Sequence, residues 1–554
     1  MASSTSSSDV MSAAEKAAVR ATVFSHLSGI VLAPTVKALA DRGVFEWLGA
    51  DHWITLDEVQ RRTHGNRGYL RVALRLLASA GWAEQRLDDN NASASYRLTA
   101  EGRIAAQFGP PHYERVVSFI PQALYLEDFL FGNPDEAGLG ALEELVALKQ
   151  AGWGLAGQHH PLTAKVCNDI SHHVDGLIIG PVMVALARAG ILNELQYGPV
   201  SESSFTGNPA NLHSVFELMA CQGWLRRDRN LISLTPCGAY AAQIATSYGV
   251  TVSYLPAFYV VSTLLFGNAR VPRMDENGIE LLVNRAMNVW GSGGAHKTYF
   301  KKVDEIIIDI FSRPVDQQPQ GICDMGCGDG TFLEHLYSVV KNQTPRGADL
   351  QKHPLILVGA DFNKVARRIA KRHLRDAQIP TFQVIHGDIN RPAQLASDLE
   401  ALGLDIHDLL HVRSFLDHNR PYVPMANYTR GTRKARSTGA FSHLGEEISP
   451  DELEENLLRH LRRWAPYVGR FGLLVLELHT LPPEVTAANL EKTPTVAYDG
   501  THGFSDQYLV ELPIFTDCAR EAGLTADPRH QAKFPPNELA SVSINFFTAD
   551  SGRT

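Results

Sequence analysis

The sequence predicts an α/β protein: a Rossmann-like, doubly wound parallel sheet in the C-terminal half, preceded by a duplicated, mainly helical, winged-helix-like region. Three observations predict it. From Gly321 onward, apolar runs alternate with helix-like stretches, the pattern of parallel strands joined by crossover helices. Residues 321–332 read Gly-Ile-Cys-Asp-Met-Gly-Cys-Gly-Asp-Gly-Thr-Phe, an apolar run followed by alternating glycines and a helical segment. The first half of the chain repeats itself.

The repeat is ordered. VLAPTVKALADRGVFEWL (Val31–Leu48) matches IIGPVMVALARAGILNEL (Ile178–Leu195), with Pro34, Leu39 and Gly43 against Pro181, Leu186 and Gly190. LRVALRLLASAGW (Leu70–Trp82) matches LHSVFELMACQGW (Leu212–Trp224). Leu98-Thr99-x-x-Gly102 matches Leu234-Thr235-x-x-Gly238, and Phe131-Gly132-Asn133 matches Phe266-Gly267-Asn268. The offset falls gradually from 147 to 135 residues, as expected of a true internal repeat. Each copy reads as an amphipathic helix ending at glycine, a short helix, a third helix running into Gly-Trp, and a hairpin. That texture suits DNA binding or a lid and dimerisation module. The third helix favours the lid: Arg71 and Arg75 in the first copy become His213 and Glu217 in the second, and gripping phosphates needs several cations.

A chain of 554 residues exceeds one core. The expected division is a disordered terminus (1–18), two repeats (19–145 and 146–278) and a catalytic domain (279–554). The boundary is placed near Asp275–Gly294, where a polar break (Met274–Gly278) and a helix over Ile279–Trp290 precede Gly291-Ser-Gly-Gly294. A further helix, Ala295–Phe311, would lead into the first strand; Tyr299 and Phe300 on it are core aromatics or a cover for a ligand. The net charge of −9 gives no reason to expect nucleic acid. Six cysteines without paired spacing suggest a reducing, cytoplasmic setting, with Cys323 and Cys327 as packing residues. The Ser/Thr-rich Met1–Ser8 lacks a signal-peptide pattern, and the hydropathy pattern predicts no membrane span.

The glycine turn after Asp324 lets backbone N–H groups approach a ligand closely, as in dinucleotide-binding folds. A second apolar run, Leu355–Ala360, ends in Asp361, where a ribose-binding acid belongs. A third ends in Gly387-Asp388-Ile389. The glycine spacing lacks the later glycine of an NAD-binding turn. This order of elements resembles the class I S-adenosylmethionine (SAM)-dependent methyltransferases. The resemblance implies a Rossmann-like methyltransferase domain with SAM as cofactor. Asp324, Gly326, Gly328 and Gly330 would hold its methionine part, Asp361 its ribose, and Phe362, Asp388 and Ile389 its adenine, with Tyr299 as a cover.

In such sheets ligands bind beyond the carboxyl ends of the strands. His411–Arg420 follows the fourth strand, His479 follows the fifth, and Thr501–Tyr508 precedes the next. Asp417, His418, His479 and His502 could therefore converge on one pocket mouth. Histidine with carboxylate and open positions is the ligand set of mononuclear iron or manganese sites. The segments Trp464–Thr480 and Thr501–Tyr508 resemble the C-methyltransferases of polyketide assembly lines, nearest the mononuclear-iron enzymes of apratoxin type, and more distantly the 2-oxoacid C-methyltransferases. The resemblance implies one Fe or Mn ion held by His418 and His502 with Asp417 or Gln507; in the 2-oxoacid enzymes the His-Asp pair is in the opposite order.

Methylating carbon needs a carbanion equivalent, and a metal chelating two carbonyl oxygens stabilises one. His479 is the candidate general base, with a structural role as its alternative. The expected activity is SAM-dependent α-C-methylation of an acyl-carrier-bound malonyl or β-ketoacyl group, or of a 2-oxoacid. A metal-independent small-molecule O-methyltransferase is the alternative. The insertion Val423–Glu447 carries Arg430, Arg433, Lys434 and Arg436 and reads as a mobile surface loop, a gate, or a contact for an acidic carrier protein. The expected partners are such a substrate and a second copy of the chain, with neither nucleic acid nor membrane.

Overall fold

The computed structural model describes residues 11–49, 52–88, 93–132, 140–275, 280–426, 428–429 and 431–549. The expectation for Met1–Ser8, Asn133 in the repeat, most of the Met274–Gly278 break, and Arg430 lie outside the described residues.

Each repeat opens on a helix of 28 residues, Ala13–Ala40 and Pro161–Arg188. The two cross at glycine. A Cβ on Gly29 would lie 2.2 Å from His173 Cα, and one on Gly176 would lie 2.7 Å from His26 Cα. Gly29 and Gly176 are equivalent in the repeat, as are His26 and His173. The contacts around the crossing are reciprocal too. His26 Nδ1 lies 2.7 Å from the Tyr248 hydroxyl, and His173 Nδ1 lies 2.8 Å from the Tyr113 hydroxyl. His26 packs on Trp224 and His173 on Trp82. Residue i meeting j while j meets i is the mark of a two-fold pair. The duplicated half is thus an internal pseudo-dimer whose apolar helix faces cover each other. Against the sequence reading, both long helices have the length and composition of a membrane span, yet 78% and 83% of their apolar windows are buried.

The rest of each repeat is a winged helix. The third helices are Arg67–Ser79 and Pro209–Cys221. Each is followed by a hairpin, Ala83–Leu87 with Ala94–Leu98 and Leu225–Asp228 with Leu231–Leu234, extended by a short third strand. The Leu-Thr-x-x-Gly signature is a helix start: Thr99 Oγ1 accepts Gly102 N–H at 2.9 Å, and Thr235 Oγ1 accepts Gly238 N–H at 3.0 Å.

Arg71 and Arg75 of the first copy's third helix are buried. Arg67 and Arg71 pair with Glu447, on a hairpin of the insertion. Arg75 pairs with Asp499 and donates to Thr480 Oγ1 (3.1 Å) and to the Leu481 and Thr438 carbonyls (2.7 and 3.0 Å). This helix docks the first repeat onto the catalytic half. In the second copy Glu217 instead pairs with Arg227 of its own wing.

The expected break at Gly291–Gly294 is absent. One helix, Arg285–Phe311, runs through it. Glycine inside a helix costs about 1 kcal/mol against alanine, but here it permits contact: a Cβ on Gly249 would lie 2.5 Å from Gly291 Cα.

The catalytic sheet has seven strands: β1 (Gly321–Met325), β2 (Ile356–Asp361), β3 (Phe382–His386), β4 (Leu409–Ser414), β5 (Leu473–Leu478), β6 (Leu524–Phe534) and β7 (Val542–Ala549). Their order is β6-β7-β5-β4-β1-β2-β3. The first five are parallel, and β7 runs antiparallel between β5 and β6, so the sheet is mixed where a parallel one was expected. Alternate residues feed its two faces. Ile322 and Leu357 pack under Ile306, Ile310 and Leu336, whereas Cys323 and Val358 share a core with Leu461 and Trp464.

Candidate active site

A cavity of about 240 Å³ lies beyond the carboxyl ends of β1, β4 and β5. Its floor is the glycine turn, one wall is the helix Arg285–Phe311, and another is the helix Thr495–Gly503.

Gly326, Gly328 and Gly330 adopt φ of 83°, 54° and 87°, the left-handed region that favours glycine. Gly330 leads straight into the helix Thr331–Gln343. The Asp361 carboxylate, at the end of β2, accepts Gly328 N–H at 3.0 Å and Asn363 N–H at 2.7 Å. Burial raises its pKa, and those two N–H donors oppose the rise. Asp324 lies beneath the turn, 1% exposed, with Oδ1 unpartnered. Burial, then the charges of Asp361 and Asp329, push its pKa up to about 8. A buried carboxyl with an orphaned oxygen, facing a turn of backbone donors, fits the ammonium and carboxylate of an amino acid such as the methionine part of SAM.

Of the other residues expected around SAM, Tyr299 lines the cavity, held edge-on by Phe534 at 4.9 Å. Phe362 is 70% exposed, tilted against His386 beside Asp361. Asp388 caps its own turn by accepting Asn390 N–H, and Ile389 is buried with its carbonyl accepting the Trp464 indole N–H.

His418, His502 and Gln507 line the same cavity as the glycine turn. The imidazole rings of His418 and His502 are 5.0 Å apart and nearly perpendicular. His418 follows β4, and its Nδ1 hydrogen-bonds Glu477 at the end of β5. His502 sits near the end of its helix, where Nδ1 donates to the Tyr498 carbonyl at 2.8 Å. Burial, then the neighbouring His418, hold the His502 pKa well below its ordinary value, so its imidazole is neutral. With both Nδ1 atoms engaged, each ring keeps Nε2 as its free nitrogen. Gln507 Nε2 donates to the Tyr254 hydroxyl (2.8 Å) and Ser505 Oγ (3.0 Å), which leaves its Oε1. Among the described residues no three His, Cys, Asp or Glu side chains are grouped to hold a metal. The available set is two imidazoles and one amide oxygen.

Two expected site residues are placed elsewhere. Asp417 is fully buried away from the cavity, bonded to Arg413 at 2.7 Å and His460 at 2.9 Å. Burial would raise its pKa, but the Arg413 guanidinium and His460 hold it below the ordinary carboxylate value. The expectation of Asp417 as a ligand does not fit, because its carboxylate neutralises Arg413. His479 is also fully buried, with Nε2 2.8 Å from Ser543 Oγ and Nδ1 3.2 Å from the Val510 carbonyl. Burial pushes its pKa down to about 3, and it does not reach the cavity, so it is unsuited as general base.

The insertion's cations are largely satisfied within the chain. Arg433 pairs with Glu454 and Glu521, and Arg436 with Asp517, while Lys434 is exposed. Glu477 was missed as a site residue, although an acid closing an otherwise apolar strand run is legible in the sequence. Tyr254 and Arg285 were missed because they come from outside the sheet, and no strand-end signal marks them.

Three family models match the chain. An AprA MT2-like domain matches residues 280–545, an AprA N-terminal domain residues 19–85, and an AprA winged helix domain residues 175–268. The chain belongs to the AprA-type SAM-dependent methyltransferases. No curated protein matches it significantly. Among solved structures, the mitomycin 7-O-methyltransferase MmcR is 14% identical with a TM-score of 0.39, over 70% of this chain and 97% of that one. Human N-acetylserotonin methyltransferase in complex with SAM is 12% identical with a TM-score of 0.37, over 71% and 100%. The CurJ carbon methyltransferase is 12% identical with a TM-score of 0.32, over 74% and 99%. This AprA-type chain thus carries the family's methyltransferase domain behind winged-helix elements, with SAM as cofactor.

Proposed function

We propose that this protein is a C-methyltransferase acting on the α-carbon of a dicarbonyl substrate, an acyl-carrier-bound malonyl or β-ketoacyl group or a 2-oxoacid, with one Fe or Mn ion. The observation that carries the reading is the pair His418 and His502, sharing one cavity with the glycine turn, each with Nδ1 anchored. Metal-binding histidines characteristically hand their second nitrogen to a carboxylate or carbonyl, which fixes ring orientation.

His418 Nε2, His502 Nε2 and Gln507 Oε1 would hold the ion. When bound, it supplies Lewis acidity toward the carbonyl oxygens of a chelating substrate. Asp324 would receive the ammonium of SAM, the turn N–H groups its carboxylate, and Asp361 the ribose hydroxyls. Tyr299, from the helix Arg285–Phe311, lines the cavity and would shield the reacting groups from water. Placing the methyl donor on one wall and the substrate carbonyls on the other brings the α-carbon and the methyl group into one enclosed space. The α-carbon releases its proton to bulk solvent and bonds the methyl group as the methyl–sulfur bond of SAM breaks, leaving S-adenosylhomocysteine. His479 is buried and unsuited as base for either chemistry, whereas His418 lines the cavity.

Elemental analysis of the purified protein, with SAM assays on malonyl-carrier, 2-oxoacid and phenolic substrates with and without chelator, tests this reading. Expected are a stoichiometric Fe or Mn ion and chelator-sensitive C-methylation. Full activity of a metal-free protein, or methylation confined to phenol oxygen, overturns it.

A further inference from the structure

A second cavity, of about 550 Å³, lies apart from the active site, between the two long helices and the segment Ala487–Lys492. The pseudo-two-fold shows why it exists. Ser28, Ala80 and Trp82 line it. Their repeat equivalents are Asp175, Gln222 and Trp224. On that side of the crossing the corresponding space is filled by the chain itself: the Lys149 ammonium bonds Asp175 (2.7 Å) and Gln222 (2.8 Å), and the Trp153 indole N–H donates to Asp175 (3.0 Å). On this side small residues stand in the same places, and the hollow is capped by the catalytic half.

The long helix of the second repeat contributes an acid to this hollow. Asp169 lines the cavity, and its carboxylate has no hydrogen bond or ion pair among the described residues. Lys165, Glu491 and Lys492 also line the cavity, all of them exposed. The neutral rings of His173 and Trp82, 5.5 Å apart, form an aromatic wall. A volume in the range of small-molecule sites, an aromatic wall, and the Asp169 and Glu491 carboxylates, neither of them ion-paired among the described residues, are the parts of a cation site.

We propose that this cavity is a second ligand site, taking a small protonated amine with a flat apolar body. Asp169 would pair with the ammonium, and Trp82 would pack on the ring. The probe is tryptamine, titrated calorimetrically into the full chain already saturated with SAM, so that the active-site carboxylates are occupied. Its neutral counterpart, tryptophol, is titrated in parallel. Expected is saturable tryptamine binding that weakens about tenfold or more for tryptophol and for Asp169→Asn. Filling the hollow with Ser25→Trp should abolish it. SAM affinity should be unchanged in both variants, which reports correct folding. Absence of saturable binding at millimolar tryptamine, equal binding of tryptophol, or binding indifferent to both substitutions overturns the proposal.

Discussion

Arg75 of the first winged helix and Asp499 of the helix carrying His502 form a buried ion pair across the two halves of the chain. Asp499 also accepts from Thr480 Oγ1 at 2.6 Å, so one network joins the end of β5, the His502 helix and the N-terminal region. Removing one partner strands the other charge in the interior. Arg75→Met should destabilise the protein by about 3–5 kcal/mol, a range typical of broken buried pairs. Denaturant unfolding of the variant measures this, and an unchanged midpoint would mean that the pair is solvated.

Asp361→Ala should weaken SAM binding by one to two orders of magnitude, since the ribose hydroxyls lose a charge-assisted acceptor of about 1.5–3 kcal/mol. The turn also loses the bond from Gly328 N–H. Calorimetry on the folded variant is the check, and unaltered affinity removes Asp361 from the site.

Asp324 should make SAM binding pH-dependent. Its pKa is about 8 in the folded protein against an ordinary 3.8. Between those values the folded state holds a proton that the unfolded state has lost, so the contribution of Asp324 to stability falls as pH rises through that window. An ammonium against the carboxylate favours the ionised form. SAM binding should therefore release a proton and tighten as pH rises toward 8. Titrations in two buffers of different ionisation enthalpy measure the release, and Asp324→Asn should abolish it.

His502→Ala should abolish methyl transfer and lower metal content while leaving SAM affinity nearly intact, because the groups that would hold SAM are the glycine turn, Asp324 and Asp361. Glu477→Gln, which weakens the anchor of His418 Nδ1, should cost about 10–100-fold in metal affinity, as outer partners of metal-binding histidines do. Metal titration of the two variants distinguishes loss of a ligand from loss of its support.

The internal pairing covers the faces that led the sequence to predict a homodimer contact. Sedimentation equilibrium should give the mass of one chain, 60.8 kDa. A dimer that persists on dilution would show that a different surface is used.

The sequence by itself determined the local chemistry. Alternating glycines after a strand turn through left-handed backbone, and Asp324 and Asp361 close apolar runs, so the turn and its two acids were legible in the sequence. The ordered matches likewise identified the repeat, because each marks a helix end or a cap that short-range geometry dictates. Tertiary structure alone decided the rest. Asp417 and His418 are neighbours in sequence, yet one turns inward to Arg413 and the other outward to the cavity. Adjacent side chains on a tight turn diverge, and which one meets the ligand depends on charges brought up from distant elements. The same holds for Arg71 and Arg75, whose partners Glu447 and Asp499 lie hundreds of residues away. Nor does the repeat itself say that its copies pair with each other, since the reciprocal contacts of His26 and His173 exist only once two helices cross at Gly29 and Gly176.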